Sequence, residues 1–318
     1  MKKDLVTNNL KSAEGYVQGF VAERGMTHDG EANHESVARR VGPAGIDIVY
    51  VRSGDPGAPV VLLIMGLGMQ LIAWPDALIR ALTGAGYRVI RFDNRDIGLS
   101  QKTNARVPNL ALLTIRYRLG MATHADYILR DMVEDARGVL DALDIARCHV
   151  IGVSMGGMIL QRLALDHPER VRALVLVSTT DGAMILDKDI ATIGAPRDYR
   201  EVSKNMIVES FPAGTQAKLY QPLLERIPTW NGTVIREALT SMSQFQVHGQ
   251  LTRIQVPTLI MVGVKDDVAT PAIAKGIQAQ IAGSQVVEFQ TGHFMMAEDP
   301  DRFRTVLGDF LKGLPPSQ

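Results

Sequence analysis

A serine, two adjacent aspartates and a histidine each come shortly after a short apolar run of this chain. In chain order they are Ser154, Asp266 with Asp267, and His293. A serine hydroxyl is too weak an acid to attack an acyl group alone. A neutral imidazole must therefore take its proton, and a carboxylate must orient that imidazole. The order serine, acid, histidine predicts nucleophilic acyl transfer.

The serine stands at the centre of the pentapeptide Gly-Val-Ser-Met-Gly, residues 152–156. The apolar residues 149–153 predict a buried strand, and residues 156–167 predict a helix. The two glycines remove side chains that would clash at so tight a strand-to-helix turn. Ser154 is therefore the predicted nucleophile, placed beside the N-terminal N–H groups of the helix.

The choice of acid is open between two neighbours. Counting from Gly263, at the end of a predicted strand, favours Asp266, whereas counting back from Pro271 favours Asp267. We prefer Asp266 because the strand end is the more rigid reference. His293 is the predicted base.

Acyl transfer also needs N–H donors for the oxyanion. One is expected from Met155, directly after the nucleophile, and the other from Leu67, in the loop of residues 65–69. The glycines of that loop also suit a phosphate-binding loop, but the chain shows neither G-K-[ST] nor G-x-G-x-x-G there.

The elements that position these residues alternate between apolar strands and helices. The predicted strands are residues 59–65, 87–92, 148–153, 171–178, 258–263 and 285–289. The predicted helices are residues 74–84, 129–143, 156–167, 272–281 and 300–312. This alternation predicts an α/β fold with a mostly parallel sheet of about eight strands, covered by helices on both faces. Residues 36–54 predict a β-hairpin at the sheet edge.

Two stretches do not fit the alternation, an apolar patch within 104–126 and a long mixture over 181–250. The second is too long for a loop and indicates an inserted helical cap. The predicted organisation is an N-terminal extension (1–36), a core (37–180 and 251–318) and the cap (181–250).

The composition predicts a small, largely uncharged ligand. Lys plus Arg and Asp plus Glu both number 34, so no overall charge attracts nucleic acid. No Cys, His and Asp cluster at ligand spacing indicates a metal site, and Cys148 is the only cysteine. Since neither a signal peptide nor a stretch of membrane-spanning length is evident, we expect a cytoplasmic protein without a membrane partner, as a monomer or homodimer.

From about residue 46 to residue 312 the chain resembles the α/β-hydrolase family. The resemblance is carried by the loop Met65-Gly66-Leu67-Gly68, the segment Phe92-Asp93-Asn94-Arg95-Asp96-Ile97-Gly98-Leu99-Ser100, the turn at Ser154, and the acid and histidine loops. Met65 replaces the histidine of the family's common His-Gly pair, which removes a side chain that usually braces the loop. Asp96 stands where many relatives have glycine.

Within this family the chain is most similar to the branch of anthracycline methylesterases and macrolide esterases. That resemblance rests on the loop 64–74, with Trp74-Pro75, and on the segment 92–100. It implies a serine esterase that cleaves an ester or lactone of a small apolar molecule, such as a bulky natural product, through an acyl-enzyme and without a cofactor. The predicted substrate-binding residues are Gly66, Trp74, Met184, Phe211, Trp230, Phe245 and Phe294.

Other activities share this scaffold, because a fold does not determine a function. A haloperoxidase-like perhydrolase or a C–C bond hydrolase would use the same three side chains, and a ligand receptor would use none of them. A dehalogenase is disfavoured because its nucleophile position would carry aspartate in place of Ser154.

Overall fold

In a computed structural model of the chain, the described residues are 34–103, 115, 119, 127–182, 204–205, 207–225, 241–242 and 245–314. Most of the predicted N-terminal extension and of the patch at 104–126 lies outside these ranges, as do the predicted binding residues Met184 and Trp230.

Eight described strands form one sheet. They are β1 (His34–Val41), β2 (Ile46–Ser53), β3 (Val60–Ile64), β4 (Arg88–Phe92), β5 (Cys148–Val153), β6 (Val171–Val177), β7 (Thr258–Gly263) and β8 (Gln285–Phe289). The order across the sheet is β1-β2-β4-β3-β5-β6-β7-β8. The pairs β1–β2 and β2–β4 are antiparallel, and all other neighbouring pairs are parallel. The predicted parallel sheet with a hairpin at its edge is confirmed.

The described α-helices are α1 (Asp76–Gly84), α2 (Leu129–Ala142), α3 (Met155–Asp166), α4 (Ala217–Leu224), α5 (Pro271–Gln278), α6 (Met295–Glu298) and α7 (Pro300–Lys312). Short 3-10 helices occupy Leu71–Ala73, Pro168–Arg170 and Leu251–Arg253. A proline at the first turn and a side-chain cap begin both α5 and α7, where Thr270 and Asp299 each accept a backbone N–H.

The two faces of the sheet carry separate apolar clusters. Successive residues of β3 alternate between them, with Leu62 in one cluster and Leu63 in the other. Met158 of α3 lies in the cluster of Leu62, and Phe303 of α7 lies in that of Leu63. Full burial of each such side chain contributes about 1.5–3 kcal/mol to stability. The helices therefore stabilise the sheet by excluding water from the apolar side chains on both of its faces.

Residues 181–250, which we call the inserted segment, connect β6 to β7. Its two ends meet, since the backbone N–H of Val247 donates to the carbonyl of Asp181 at 2.9 Å and His248 Nδ1 lies 2.7 Å from Asp181 Oδ2. The two ends of the inserted segment therefore lie side by side. α4 is the longest described helix of this segment.

None of the described helices combines the length and apolar character that a membrane-spanning helix requires. Across the same residues, no group of three or more His, Cys, Asp or Glu side chains is arranged to hold a metal ion.

Candidate active site

The residues predicted to do chemistry lie at the carboxyl edge of the parallel sheet. Ser154 directly follows β5, Asp266 follows β7 by three positions and His293 follows β8 by four. The strands β5, β6, β7 and β8 are consecutive neighbours with the same direction. Their ends therefore meet at one edge, where ligands bind in open parallel sheets.

Ser154 sits in a strained backbone conformation, with φ 54° and ψ −119°, immediately before α3. The neighbouring backbone leaves no room for a side chain at Gly152 or Gly156. A Cβ added at Gly156 would lie 2.2 Å from the carbonyl oxygen of Ile64, and one added at Gly152 would lie 2.5 Å from the backbone of Gly156. These contacts are the physical reason for both glycines of the pentapeptide.

The backbone of Ser154 is held on both sides. Its N–H donates to the carbonyl of Val177 at 2.9 Å, and its carbonyl accepts the Thr179 hydroxyl at 2.7 Å. Since several interactions hold the residue, the unfavourable φ angle persists. The sequence analysis missed Thr179, although its position just after β6 at the same sheet edge was a usable signal.

His293 is paired with Asp266 and not with Asp267. His293 Nδ1 lies 2.7 Å from Asp266 Oδ2, and both side chains are buried, 7% and 0% exposed respectively. Asp267 is exposed. The other carboxylate oxygen of Asp266 accepts the backbone N–H groups of Val268 and Ala269, each at 2.9 Å. These bonds fix the carboxylate so that it faces the imidazole.

The surroundings of Asp266 favour its ionised form. Burial raises the pKa of its carboxyl group, but the hydrogen bond and charge of His293, together with the N–H groups of Val268 and Ala269, outweigh burial and hold the pKa below its ordinary value. An ionised Asp266 can accept the Nδ1–H of His293, and in a neutral imidazole held in this way Nε2 is the nitrogen without a proton.

The loop around His293 is fixed by its neighbours. Both carboxylate oxygens of Glu298 lie 3.0 Å from the backbone N of Gly292, and the N–H of His293 donates to the carbonyl of Ser210 at 3.1 Å. Burial raises the pKa of Glu298 above its ordinary value, against the lowering effect of the backbone N–H groups of Gly292 and Phe294. Glu298 was not predicted from the sequence. Its side chain reaches the N–H of Gly292 only because α6 turns back towards the histidine loop, and the spacing along the chain does not show this turn.

The predicted oxyanion donors border the serine. Gly66 approaches so closely that a Cβ added to it would lie 3.7 Å from Ser154 Oγ, and Leu67 comes next in the chain. Among the described residues, the Leu67 N–H has no protein acceptor. Met155 begins α3, so its N–H is one of the helix-terminal donors without an acceptor in the helix.

Two side chains at the end of β4 hold this loop. The Asn94 amide donates to the carbonyl of Met65 at 3.3 Å, and Asp93 Oδ1 accepts the N–H of Leu71 at 2.7 Å. Both Asn94 and Asp93 are buried. The loop is therefore braced at its two ends, although Met65 provides no polar side chain for this purpose.

The described part of the chain contains no hydrogen bond between the Ser154 hydroxyl and His293. Catalytic hydrogen bonds are often long in proteins without substrate and shorten in the complex.

The described residues among those predicted to bind substrate lie in three places: beside Ser154 and in each of the two apolar clusters. Trp74 is 1% exposed, in the apolar cluster that also contains Phe211 and Phe294. The rings of Phe211 and Phe294 stack with centroids 5.3 Å apart, whereas Phe245 belongs to the other cluster. Gly66 borders Ser154. A role in substrate binding stays a prediction for all of them, including Met184 and Trp230 outside the described residues.

Comparison with known proteins identifies the family. The model of the alpha/beta hydrolase fold family matches residues 59–204. Rhodomycin D methylesterase of Streptomyces sp. strain C5 is 30% identical over 276 residues, which cover 76% of this chain and 86% of that protein.

Solved structures show the same fold. A hydrolase from Pseudomonas aeruginosa PA01 superposes with a TM-score of 0.71 at 25% identity, over 90% of this chain and 99% of the other. The enol-lactonase from Burkholderia xenovorans LB400 gives a TM-score of 0.70 at 21% identity, over 88% and 100%. The strand order of the sheet, the family match and the 30% identical relative agree with one another. The chain therefore belongs to the α/β-hydrolase family and is a hydrolase of the esterase type.

Proposed function

We propose that this enzyme cleaves a carboxylic ester or lactone of a bulky, largely apolar small molecule through an acyl-enzyme. The observation that carries this proposal is the buried 2.7 Å pair of His293 with Asp266 at the sheet edge that also presents Ser154 on a strained turn. Nucleophile, base and orienting acid are thus supplied by rigid strand ends, as preorganised catalysis requires.

The proposed reaction has two halves. Ser154 Oγ attacks the carbonyl carbon while His293 takes its proton, and the N–H groups of Leu67 and Met155 stabilise the oxyanion. The alcohol then leaves with the proton from His293, and the acyl group stays on Ser154. In the second half water attacks the acyl carbon while His293 takes a proton from it. The bond from the acyl carbon to Ser154 Oγ then breaks, His293 returns the proton to Oγ, and the carboxylic acid leaves.

Asp266 has a supporting role in both halves. It keeps the proton of His293 on Nδ1 and stabilises the imidazolium that forms in each half-reaction. Asp267, which is exposed, has no part in this mechanism.

The relatives and the apolar residues near the site support the proposed substrate class. The named relative is a methylesterase of rhodomycin D, which supports a methyl ester of a bulky natural product as the first substrate to test. We assign the choice of substrate to the inserted segment, as a cap over the sheet edge. Its aromatic residue Phe211, beside Phe294, suits an apolar acid or alcohol part.

The test is ester hydrolysis by the wild type and by Ser154→Ala. Both proteins are assayed with p-nitrophenyl esters of increasing acyl length, with methyl esters of aromatic polyketides and with macrolactones. We expect turnover by the wild type and a loss on the order of 10⁶-fold in kcat in the variant. Labelling of the wild type, but not the variant, by a fluorophosphonate identifies Ser154 as the nucleophile.

Two results oppose the proposal. If the folded wild type neither cleaves any ester nor reacts with the fluorophosphonate, Ser154 is not an activated nucleophile and the proposed ester cleavage is wrong. If labelling succeeds but turnover occurs only with peroxide or with a diketone, the reaction is perhydrolysis or C–C cleavage.

A further inference from the structure

One part of the inserted segment touches the loop that carries His293. The backbone N–H of His293 donates to the carbonyl of Ser210 at 3.1 Å. This acceptor belongs to the inserted segment and not to the core. A buried N–H needs an acceptor, so the position of residues 207–212 is linked directly to the backbone of the proposed base.

Two further contacts surround the same loop. Gly292 approaches the segment so closely that a Cβ on it would lie 2.7 Å from Pro212 Cδ and 2.9 Å from the carbonyl oxygen of Ser210. On the other side of His293, Phe294 stacks on Phe211 with an interplanar angle of 27°. The residues before and after His293 are therefore both packed against residues 210–212.

The aromatic contact continues to the imidazole itself. The ring of His293 meets the ring of Phe294 edge to face, with centroids 5.4 Å apart. Phe211 and Phe294 are both buried, so a change in one ring displaces the other. Phe211 thus supports the imidazole through a single intervening ring.

The core holds the opposite side of the loop. Glu298 accepts the N–H of Gly292 with both oxygens at 3.0 Å, and the N–H of Lys265, just after β7, donates to the carbonyl of Thr291 at 3.0 Å. The histidine loop therefore lies between the core and residues 207–212, and the core alone does not supply the acceptor for the His293 N–H.

We propose that residues 207–212 are a positioning element for His293, so that the inserted segment sets the rate of the chemical step as well as the choice of substrate. This proposal rests on the proposed function, since it assigns the segment a role in the reaction of Ser154 with an ester. Displacing a catalytic group by about 1 Å costs about 100-fold in rate, so a small shift of the segment changes kcat.

The experiment compares Phe211→Leu with Phe303→Leu. Phe303 is an equally buried ring of the same apolar cluster, but its aromatic contact is Phe289 in the core, with centroids 6.4 Å apart. The control therefore removes a buried ring whose aromatic partner is Phe289 of β8 and not a residue of the histidine loop. Phe211→Met, whose flexible side chain adapts to irregular gaps, replaces Phe211→Leu if that variant does not fold.

Two quantities are measured for each folded variant. The first is kcat and KM for p-nitrophenyl acetate, whose acetyl group is the smallest acyl group of the ester series. The second is the downfield proton resonance of His293 Nδ1–H, which reports the hydrogen bond to Asp266 and needs no turnover. Thermal unfolding measures the loss of stability in both variants.

We expect Phe211→Leu to lower kcat for the small ester by about 10- to 100-fold, with little change in KM, and to weaken or shift the downfield resonance. Phe303→Leu should lower the melting temperature and leave kcat and the resonance unchanged. If Phe211→Leu keeps the wild-type kcat and resonance and raises KM only for bulky esters, the segment affects specificity alone and the proposal is overturned. If the wild type itself cleaves no ester and no fluorophosphonate reacts, it is the proposed function that fails.

Discussion

Replacing Asp266 with asparagine tests the proposed role of this buried carboxylate, which is paired with His293. The structure places Asp266 Oδ2 2.7 Å from His293 Nδ1 and gives Oδ1 to the N–H groups of Val268 and Ala269. Asparagine keeps the shape, and its carbonyl oxygen keeps the two backbone bonds. Its NH₂ group must then face the imidazole, which forces the proton of His293 onto Nε2. In that tautomer His293 cannot take the proton of Ser154.

The expected loss follows from two contributions. A hydrogen bond to a charged group contributes about 1.5–3 kcal/mol, and the imidazolium of the transition state loses this bond in the variant. The reversed tautomer adds the free energy needed to restore the reactive one. In other serine triads the same substitution lowers kcat about 10⁴-fold. We expect a loss of about 10³- to 10⁴-fold, or about 4–5.5 kcal/mol of transition-state stabilisation.

The matched control is Asp267→Asn, the same chemical change at the exposed neighbour. Both variants are assayed for kcat and KM with one p-nitrophenyl ester that the wild type cleaves. Asp267→Asn should keep kcat within about threefold of the wild type, or about 0.7 kcal/mol of transition-state free energy, because His293 is paired with Asp266 and Asp267 is exposed. A larger loss in Asp267→Asn than in Asp266→Asn would refute the assignment of the acid, and a loss below tenfold in both would refute the triad.

The same carboxylate predicts how stability depends on pH. The pKa of Asp266 in the folded protein lies below its ordinary value, chiefly because His293 and two backbone N–H groups outweigh burial. The stabilisation is therefore complete above the unfolded-state pKa of about 3.9 and is lost as the pH falls through the lower folded-state value. The free energy of unfolding, measured in urea, should fall more steeply below about pH 4 for the wild type than for Asp266→Asn. If the two proteins show parallel dependence on pH, this account is contradicted.

Three further predictions concern stability and reactivity. Gly156→Ala places a methyl group 2.2 Å from a β3 carbonyl oxygen, whereas a Cβ at Gly308 of α7 meets nothing within 4 Å. Thermal unfolding should show a loss above about 1–3 kcal/mol for the first and a gain of about 0.5–1 kcal/mol for Gly308→Ala, and equal effects would contradict the packing argument. Asp135→Asn removes the negative charge that pairs with the buried Arg95 guanidinium, from which the two Asp135 oxygens lie 2.6 and 2.8 Å, so urea unfolding should show a loss of about 3–5 kcal/mol and not one below 1 kcal/mol. Burial raises the pKa of the Cys148 thiol to about 12, so a disulfide reagent at pH 8 should modify it only after unfolding, and rapid reaction of the native protein would refute its burial.

Much of the scaffold could be predicted from local sequence. The runs at β5 and β7 are mostly apolar on both faces, which is typical of a sheet covered on both sides, and their predicted bounds agree with the structure. Gly152 and Gly156 flank a serine at a strand-to-helix turn, where the chain approaches itself too closely for any side chain. Signals of this kind arise within a few neighbouring residues, so the sequence alone contains them.

The contacts between distant segments could not be predicted in this way. Nothing local shows that Asn94 donates to the carbonyl of Met65, that Thr179 donates to Ser154, or that Glu298 turns back onto Gly292. These groups lie close together only because the strand ends converge on one edge of the sheet.

The choice between Asp266 and Asp267 depends partly on the sequence and partly on the tertiary structure. The sequence determined that a carboxylate follows β7, because Asp266 and Asp267 both stand there. Adjacent residues point in different directions, so their order alone could not tell which one reaches the histidine. The fold decided it by burying Asp266 against His293, fixed by two backbone N–H groups, and leaving Asp267 exposed. The type of group is a property of the sequence, whereas its direction depends on loops that only the packed strands bring together.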